Sequence, residues 1–236
     1  MAILLSASCI NAKTLVVYYS FTNNVHTIVN NLHTQIDADV IRIEPAEKGI
    51  DYADNNYAAG SALISAIRNN PDDVASYPAI DPVEVNLDEY DMVIVAAPLW
   101  WSQMAAPLQT FLFQHGKEMK GKRIGLIVSS ASSGISSVVA DAKRLIPQGI
   151  FLEPNLWIRS SQVSNCHSMI EQWLKDIDYT AITSSISAVG SDGEEEVIAR
   201  YNMGGQRIAA EQQIVGISIT QYRKAGKTYS RKSIVK

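Results

Sequence analysis

The chain has 236 residues, 47% hydrophobic and 19% charged, with a formal net charge of −4. That length fits one α/β domain with an appendage and supplies enough chain for a sizeable core. The mixed, slightly acidic charge gives no basic patch for nucleic acid, and no apolar run approaches the ~20 residues of a bilayer span.

Residues 1–12 come first. Ala2-Ile3-Leu4-Leu5 is apolar and Ser6-Ala7-Ser8-Cys9 follows, which reads as the remnant of an export signal, with a lipoprotein cysteine or a cleavage site after Ala12. A cytosolic N-terminal tail is the alternative. Residues 14–19 are a β-rich run. Val25, Ile28, Val29, Leu32 and Ile36 then recur at helical spacing. Between them, Ser20-Phe21-Thr22-Asn23-Asn24-Val25-His26 makes a tight turn from strand into helix. Its hydroxyls and amides stand at a helix N-terminus, where free N–H groups and the dipole favour an anion. An ordinary N-cap by Thr22 or Asn23 is the plainer reading of the same residues.

Residues 39–43 predict a second strand, ended by Glu44-Pro45. An excursion over 46–82 follows, with a helix over 56–69 that stops at Asn70-Pro71. Residues 90–97 are a near-continuous apolar run, the mark of a parallel strand buried on both faces, and Pro98 is expected to stop it. Pro107 opens a helix through Leu108, Phe111 and Leu112 to Gly116. Residues 123–129 are another buried strand, 130–137 a small-residue loop, and 138–146 a helix stopped by Pro147. A fifth strand lies within 151–158. Met169, Ile170, Trp173, Leu174 and Ile177 mark the last amphipathic helix. Residues 183–196 are rich in Ser, Gly and Glu and read as a linker. Short strands are expected over 197–201, 206–208, 214–220 and 228–235, with turns at Gly204-Gly205 and Ala225-Gly226-Lys227.

Five strands alternating with helices predict a doubly wound, five-stranded parallel sheet with helices on both faces, plus a small β-rich C-terminal tail. The organisation is then a domain over 13–182, a linker over 183–196 and a tail over 197–236. In such sheets ligands bind beyond the carboxyl ends of the strands, where the strand order reverses. Three loops occupy that end: Ser20 to His26, Pro98 to Ala106, and Ser129 to Ser136.

These loops resemble those of the flavodoxin-like family, in its branch of bacterial flavodoxins and NAD(P)H-dependent flavin oxidoreductases. The stretches that carry the resemblance are Tyr19-Ser20-Phe21-Thr22-Asn23-Asn24, Tyr52-Ala53-Asp54-Asn55-Asn56-Tyr57, Pro98-Leu99-Trp100-Trp101-Ser102 with Pro107 after it, and Ser129-Ser130-Ala131-Ser132-Ser133-Gly134. The resemblance implies a flavodoxin-like fold and an FMN site. It implies that Ser20, Thr22 and the main chain of Asn23, Asn24, Val25 and His26 hold the phosphate. Pro98, Leu99, Trp100, Trp101 and Ser102 would pass along the ring and ribityl chain, and Ser130, Ala131, Ser132, Ser133 and Gly134 would border the polar edge of the ring. Aromatic side chains suit a planar apolar ring, and loop amides and hydroxyls suit its carbonyls. The excursion over 46–82 would cover the flavin or make a homodimer contact.

The chain departs from the family pattern at four places. The family commonly has Gly at Asn23, Thr at Val25, and two glycines at Ala131 and Ser132. Asn can take a left-handed conformation, but Val25 has no hydroxyl, and added Cβ atoms in the third loop bring bulk to the ring edge.

The leading expectation is an FMN-binding redox protein, for electron transfer with a redox partner protein or for NAD(P)H-dependent reduction of a small acceptor such as a quinone. The alternative is a binding protein on the same fold that has lost FMN. A receiver domain is excluded, because it needs acidic residues where this chain has Tyr18-Tyr19-Ser20 and Ala97-Pro98-Leu99. No GxxxxGK[ST] and no GxGxxG is present, so NAD(P)H would visit the flavin face instead of a site of its own. Cys9 and Cys166 form no CxxC, the histidines at 26, 33, 115 and 167 fit no metal spacing, and Cys166-His167, adjacent in sequence, makes a poor catalytic pair. The tail, with Tyr201, Gly205-Gln206-Arg207 and a basic end, resembles a β-rich segment carried by various secreted bacterial proteins. With Ser6 to Cys9 it favours an exported protein, periplasmic or lipid-anchored, over a cytoplasmic one.

Overall fold

The computed structural model describes residues 12–185, 196–202, 206–208, 216–224 and 227–235. The expectations for residues 1–11, for 186–195 of the linker, for Gly204-Gly205 and for Ala225-Gly226 lie outside the described residues. The chain divides into two compact units, Met1–Ser187 and Ala188–Lys236.

Strand β1 (Thr14–Tyr18) is buried at every position. It pairs in parallel with β2 (Asp39–Arg42) on one side and β3 (Met92–Trp100) on the other, so that Val16 stands between Val40 and Ile94. β3 continues in parallel to β5 (Arg123–Ser130). The fifth position is shared by β6 (Ile150–Phe151) and β7 (Leu156–Arg159), both parallel to β5. The order β2-β1-β3-β5 reverses direction between β1 and β3. That is where a doubly wound sheet leaves a crevice at its carboxyl edge.

The strand period of two sends alternate residues to opposite cores. Leu15, Val17, Val93, Val95, Leu126 and Val128 pack with α2 (Asp54–Asn69), α3 (Ala106–His115) and α4 (Ser136–Leu145). Val16, Ile94 and Ile127 pack on the other face with Ile28 and Leu32 of α1 (Asn24–His33) and with Ile170 and Trp173 of α5 (Cys166–Asp176). Each such side chain, fully withdrawn from water, contributes roughly 1.5–3 kcal/mol before entropy is counted. Helix α6 (Tyr179–Ser185) closes the unit. The hydroxyls of Tyr179 and Thr14 lie 3.0 Å apart, and the Ala12 N–H donates to the Thr183 carbonyl. Among the described residues no helix is long and apolar enough to cross a membrane.

Three expectations change. Pro98 does not stop β3. The strand runs on to Trp100 and folds back into β4 (Gln103–Met104), antiparallel to it. The β1 ladder ends at Ala96, so the flank facing β1 asks for no donor at Pro98, and its carbonyl accepts from the Ala105 N–H. The fifth strand is broken at 152–155, because Pro154 has no N–H and its carbonyl is taken by Trp173 Nε1 at 2.7 Å. The expected linker is helical at its start, where α6 reaches Ser185.

The second unit is an antiparallel sheet. Its strands are β8 (Glu196–Asn202), β9 (Arg207–Ile208), β10 (Gly216–Lys224) and β11 (Lys227–Val235), in the order β11-β10-β8-β9. The β8–β9 connection is held by Gln206, whose N–H donates to Asn202 Oδ1 at 3.0 Å.

Candidate functional site

A cavity of about 490 Å3 opens above the β1/β3 switch point. That lies within the ~300–1,000 Å3 of small-molecule sites. Three chain segments and one strand end make its walls.

The first wall is the turn from β1 into α1. Asn23 is the N-cap, held left-handed at φ 63°, and its side chain makes no cap bond. Ser20 serves the helix end instead, with its buried Oγ accepting from the His26 N–H at 3.2 Å. The N–H groups of Asn24 and Val25 open the helix with no acceptor in the preceding turn. Ser20, Thr22, Asn24 and Val25 line the cavity. The plain capping reading is thereby corrected in its side chain: Asn23 holds the N-cap position, but neither it nor Thr22 makes a side-chain cap bond, and with Ser20 on the His26 N–H the amides of Asn24 and Val25 stay open. Arg42 Nη2 donates to the Ser20 carbonyl at 3.3 Å from outside, while its Nε meets Glu44 at 2.7 Å.

The second wall is the β3–β4 hairpin. Leu99 faces Met104 and Trp100 faces Gln103, which leaves Trp101 and Ser102 as a two-residue turn. Both have positive φ, 46° and 64°, the signature of a type I′ turn. Trp100 is buried among Tyr19, Phe21 and Tyr52, with ring centroids 4.9–6.2 Å away. Trp101 is 40% exposed. Its ring lies against α2 because residue 60 is glycine: a Cβ there would stand 2.9 Å from the indole. Burial pushes the Tyr52 hydroxyl above its ordinary range, with Glu47 adding to it, so the ring stays neutral and able to donate.

The third wall is the start of α2. Asn55, Asn56 and Tyr57 have positive φ values of 46°, 54° and 62°, so the right-handed helix begins only after Tyr57. Asn56 and Tyr57 thereby reach the cavity, and the Tyr57 ring meets Trp101 edge-on at 6.0 Å. The fourth wall is the end of β5. Ser130 Oγ donates to the Ser133 carbonyl at 2.8 Å and accepts from Trp157 Nε1 at 2.8 Å. Its proton and one of its two lone pairs are therefore engaged within the protein. Ser160, just beyond β7, completes the rim, where its Oγ accepts from Asn24 Nδ2 and donates to the Ser130 carbonyl, each at 3.3 Å.

The sequence model of the Flavodoxin family matches residues 13–177. This chain belongs to the flavodoxin family. Among solved structures, flavodoxin-like proteins share its fold. A protein of Bacteroides eggerthii provisionally named a flavoprotein is 23% identical, with a TM-score of 0.57 over 71% of this chain and 99% of that one. Its counterpart from Bacteroides uniformis is 24% identical, with a TM-score of 0.56 over 70% and 99%. A flavoprotein of Lactobacillus acidophilus solved in complex with FMN is 21% identical, with a TM-score of 0.51 over 65% and 97%. A search of curated proteins found no match.

Of the site residues expected for a flavodoxin, the cavity gathers Ser20, Thr22, Asn24, Val25, Pro98, Leu99, Trp100, Trp101, Ser130 and Ala131. Asn23, His26, Ser102, Ser132, Ser133 and Gly134 do not line it. Asn23 and Ser102 shape the turns that do. The His26 ring turns away, with Nδ1 2.7 Å from the Tyr18 hydroxyl and Nε2 3.1 Å from Asn30 Nδ2. Phe21, Tyr52, Asn56, Tyr57 and Ser129 fall within stretches the sequence singled out but were given no role there, and Ser160 was missed altogether. Ser160 was within reach of sequence reasoning, because the carboxyl-edge rule applies to the fifth strand as to the others. Among the described residues no Asp, Glu, Lys or Arg lines the cavity.

Proposed function

We propose that this flavodoxin-family protein binds FMN in the β1/β3 cavity and acts as a redox protein, passing electrons to a partner or reducing a small acceptor such as a quinone with NAD(P)H. The observation that carries this reading is one cavity, lined among the described residues by uncharged side chains, that joins an open helix N-terminus to an exposed indole. The N–H groups of Asn24 and Val25 and the Thr22 hydroxyl suit a phosphate, and no carboxylate on the walls repels one. Trp101 and Tyr57 offer ring faces to a planar heterocycle, and Leu99 and Pro98 keep water from its edge. Asn23 already holds the left-handed conformation that glycine takes in the family loop, so that departure is accommodated. Bound FMN supplies the redox chemistry. The chain's own residues bind, orient and shield.

Titration of the purified protein with FMN, followed by flavin fluorescence, tests this. Saturable quenching at micromolar FMN or tighter, about 8 kcal/mol or more, supports it. Folded protein that leaves flavin emission unchanged overturns it. NAD(P)H consumption with a quinone and no partner protein then separates a reductase from a carrier.

A second reading is a binding protein of the same fold without FMN. It draws on the loop after β5, where the Ser130 hydroxyl is taken by Trp157 and Ser133, and Ala131 brings a Cβ to the rim. Replacing Ala131 and Ser132 by glycine should then create FMN binding that the wild type lacks.

A further inference from the structure

Among the described residues one carboxyl group is buried, and it has no part in the cavity wall. Asp141 of α4 is 6% exposed and sits behind the β3–β4 hairpin. Its Oδ2 accepts from the Met104 N–H at 2.9 Å. Its Oδ1 meets Arg144 Nη2 at 3.4 Å. The same Arg144 nitrogen donates to Gln109 Oε1 at 2.9 Å, and Nη1 donates to the Tyr77 hydroxyl at 3.0 Å. Gln109 Nε2 in turn donates to the Met104 carbonyl at 2.7 Å. Both main-chain polar groups of Met104 are thus held by side chains, one from α4 and one from α3, and Arg144 ties those two side chains together.

The hairpin needs such a hold. Its turn residues, Trp101 and Ser102, carry β-carbons in a left-handed conformation that is unfavourable for them and persists only where the surroundings over-determine it. Two residue pairs of antiparallel ladder do not supply that on their own. A carboxylate that served only as an ion-pair partner for Arg144 would have no reason to aim its other oxygen at the Met104 amide.

We propose that Asp141 is a positioning residue for Trp101: it clamps Met104, and through it the turn, so that the indole stands as a wall of the cavity. The proposal rests on reading that cavity as a flavin site. Burial raises the Asp141 carboxyl above its ordinary range, while the Met104 N–H and Arg144 pull it back, as expected of a buried acid that bonds in its charged form.

The test uses the full chain and two readouts. The first, in protein without FMN, is hydrogen exchange over residues 99–104. Asp141→Ala should speed exchange there at least about tenfold, and Asp141→Asn, whose amide oxygen still accepts from Met104, should restore most of the protection. The second is FMN affinity. Asp141→Ala should weaken it about tenfold, yet change it less than about twofold when Trp101→Ala is already present, because both substitutions remove the same wall. Unchanged exchange in Asp141→Ala overturns the proposal, as do affinity losses that multiply in the double variant. Should Asp141→Ala fail to fold, Arg144→Met reads the same hairpin, and undisturbed exchange at 99–104 again overturns it. If the wild type binds no FMN, the reading of the cavity fails, and exchange alone decides whether Asp141 positions the hairpin.

Discussion

Two adjacent tryptophans divide the labour of the site between them. Trp100 is buried with three aromatic neighbours, so Trp100→Ala should cost about 3–5 kcal/mol of stability, read by urea unfolding. Trp101 stands in the turn, 40% exposed, so Trp101→Ala should cost under about 1 kcal/mol and instead weaken FMN binding. The sequence offers the pair without the division. Residues on one strand alternate faces, but Pro98 concealed that the strand continued as far as Trp100. Asp141 gives a pH dependence at the same scale. The groups that face it are the Met104 N–H and Arg144, with Arg68 farther off, and burial outweighs them, so its pKa is higher folded than unfolded. Its contribution to stability is therefore full below the ordinary carboxyl value near 4 and is lost as pH rises through the higher folded value. Asp141→Asn does not titrate. Thermal melts from pH 7 down to pH 4 should show the wild type gaining on that variant as the pH falls.

At the scale of elements, the buried parallel strands were legible because their apolar runs admit no other placement. The amphipathic helices were legible from their spacing. The β3–β4 hairpin was not, since its turn carries Trp-Ser where a type I′ turn ordinarily carries Asn-Gly. Nor was the left-handed run at Asn55, Asn56 and Tyr57, which places Tyr57 at the cavity against the helical pattern of the following residues. Tertiary contacts decide the hairpin: Met104 is held from α3 and α4, and Trp101 lies on α2 only where Gly60 leaves room. If the turn is held against its own preference, Ser102→Gly should relieve it. Stability should rise by about 0.5–1 kcal/mol in chemical denaturation, since glycine takes φ 64° without the Cβ penalty.

Over the whole molecule, every residue that lines the cavity belongs to the unit Met1–Ser187. A chain ending at Ser187 should therefore keep its FMN affinity within about twofold in the same fluorescence titration. A larger loss would assign the second unit a part in the site. The four tryptophans, at 100, 101, 157 and 173, all fall in the first unit. Trp100 and Trp173 are buried, at 9% and 2% exposure, Trp157 is half-buried, and Trp101 faces water. The intrinsic emission should accordingly split into a blue component that iodide scarcely touches and a red-shifted component that it quenches. That red component comes chiefly from Trp101 at the mouth of the cavity, with a smaller part from the half-buried Trp157. Its loss on adding a ligand would register occupancy of the site without a label, and in a protein whose ligand is still to be chosen it would let colourless molecules be screened as readily as yellow ones.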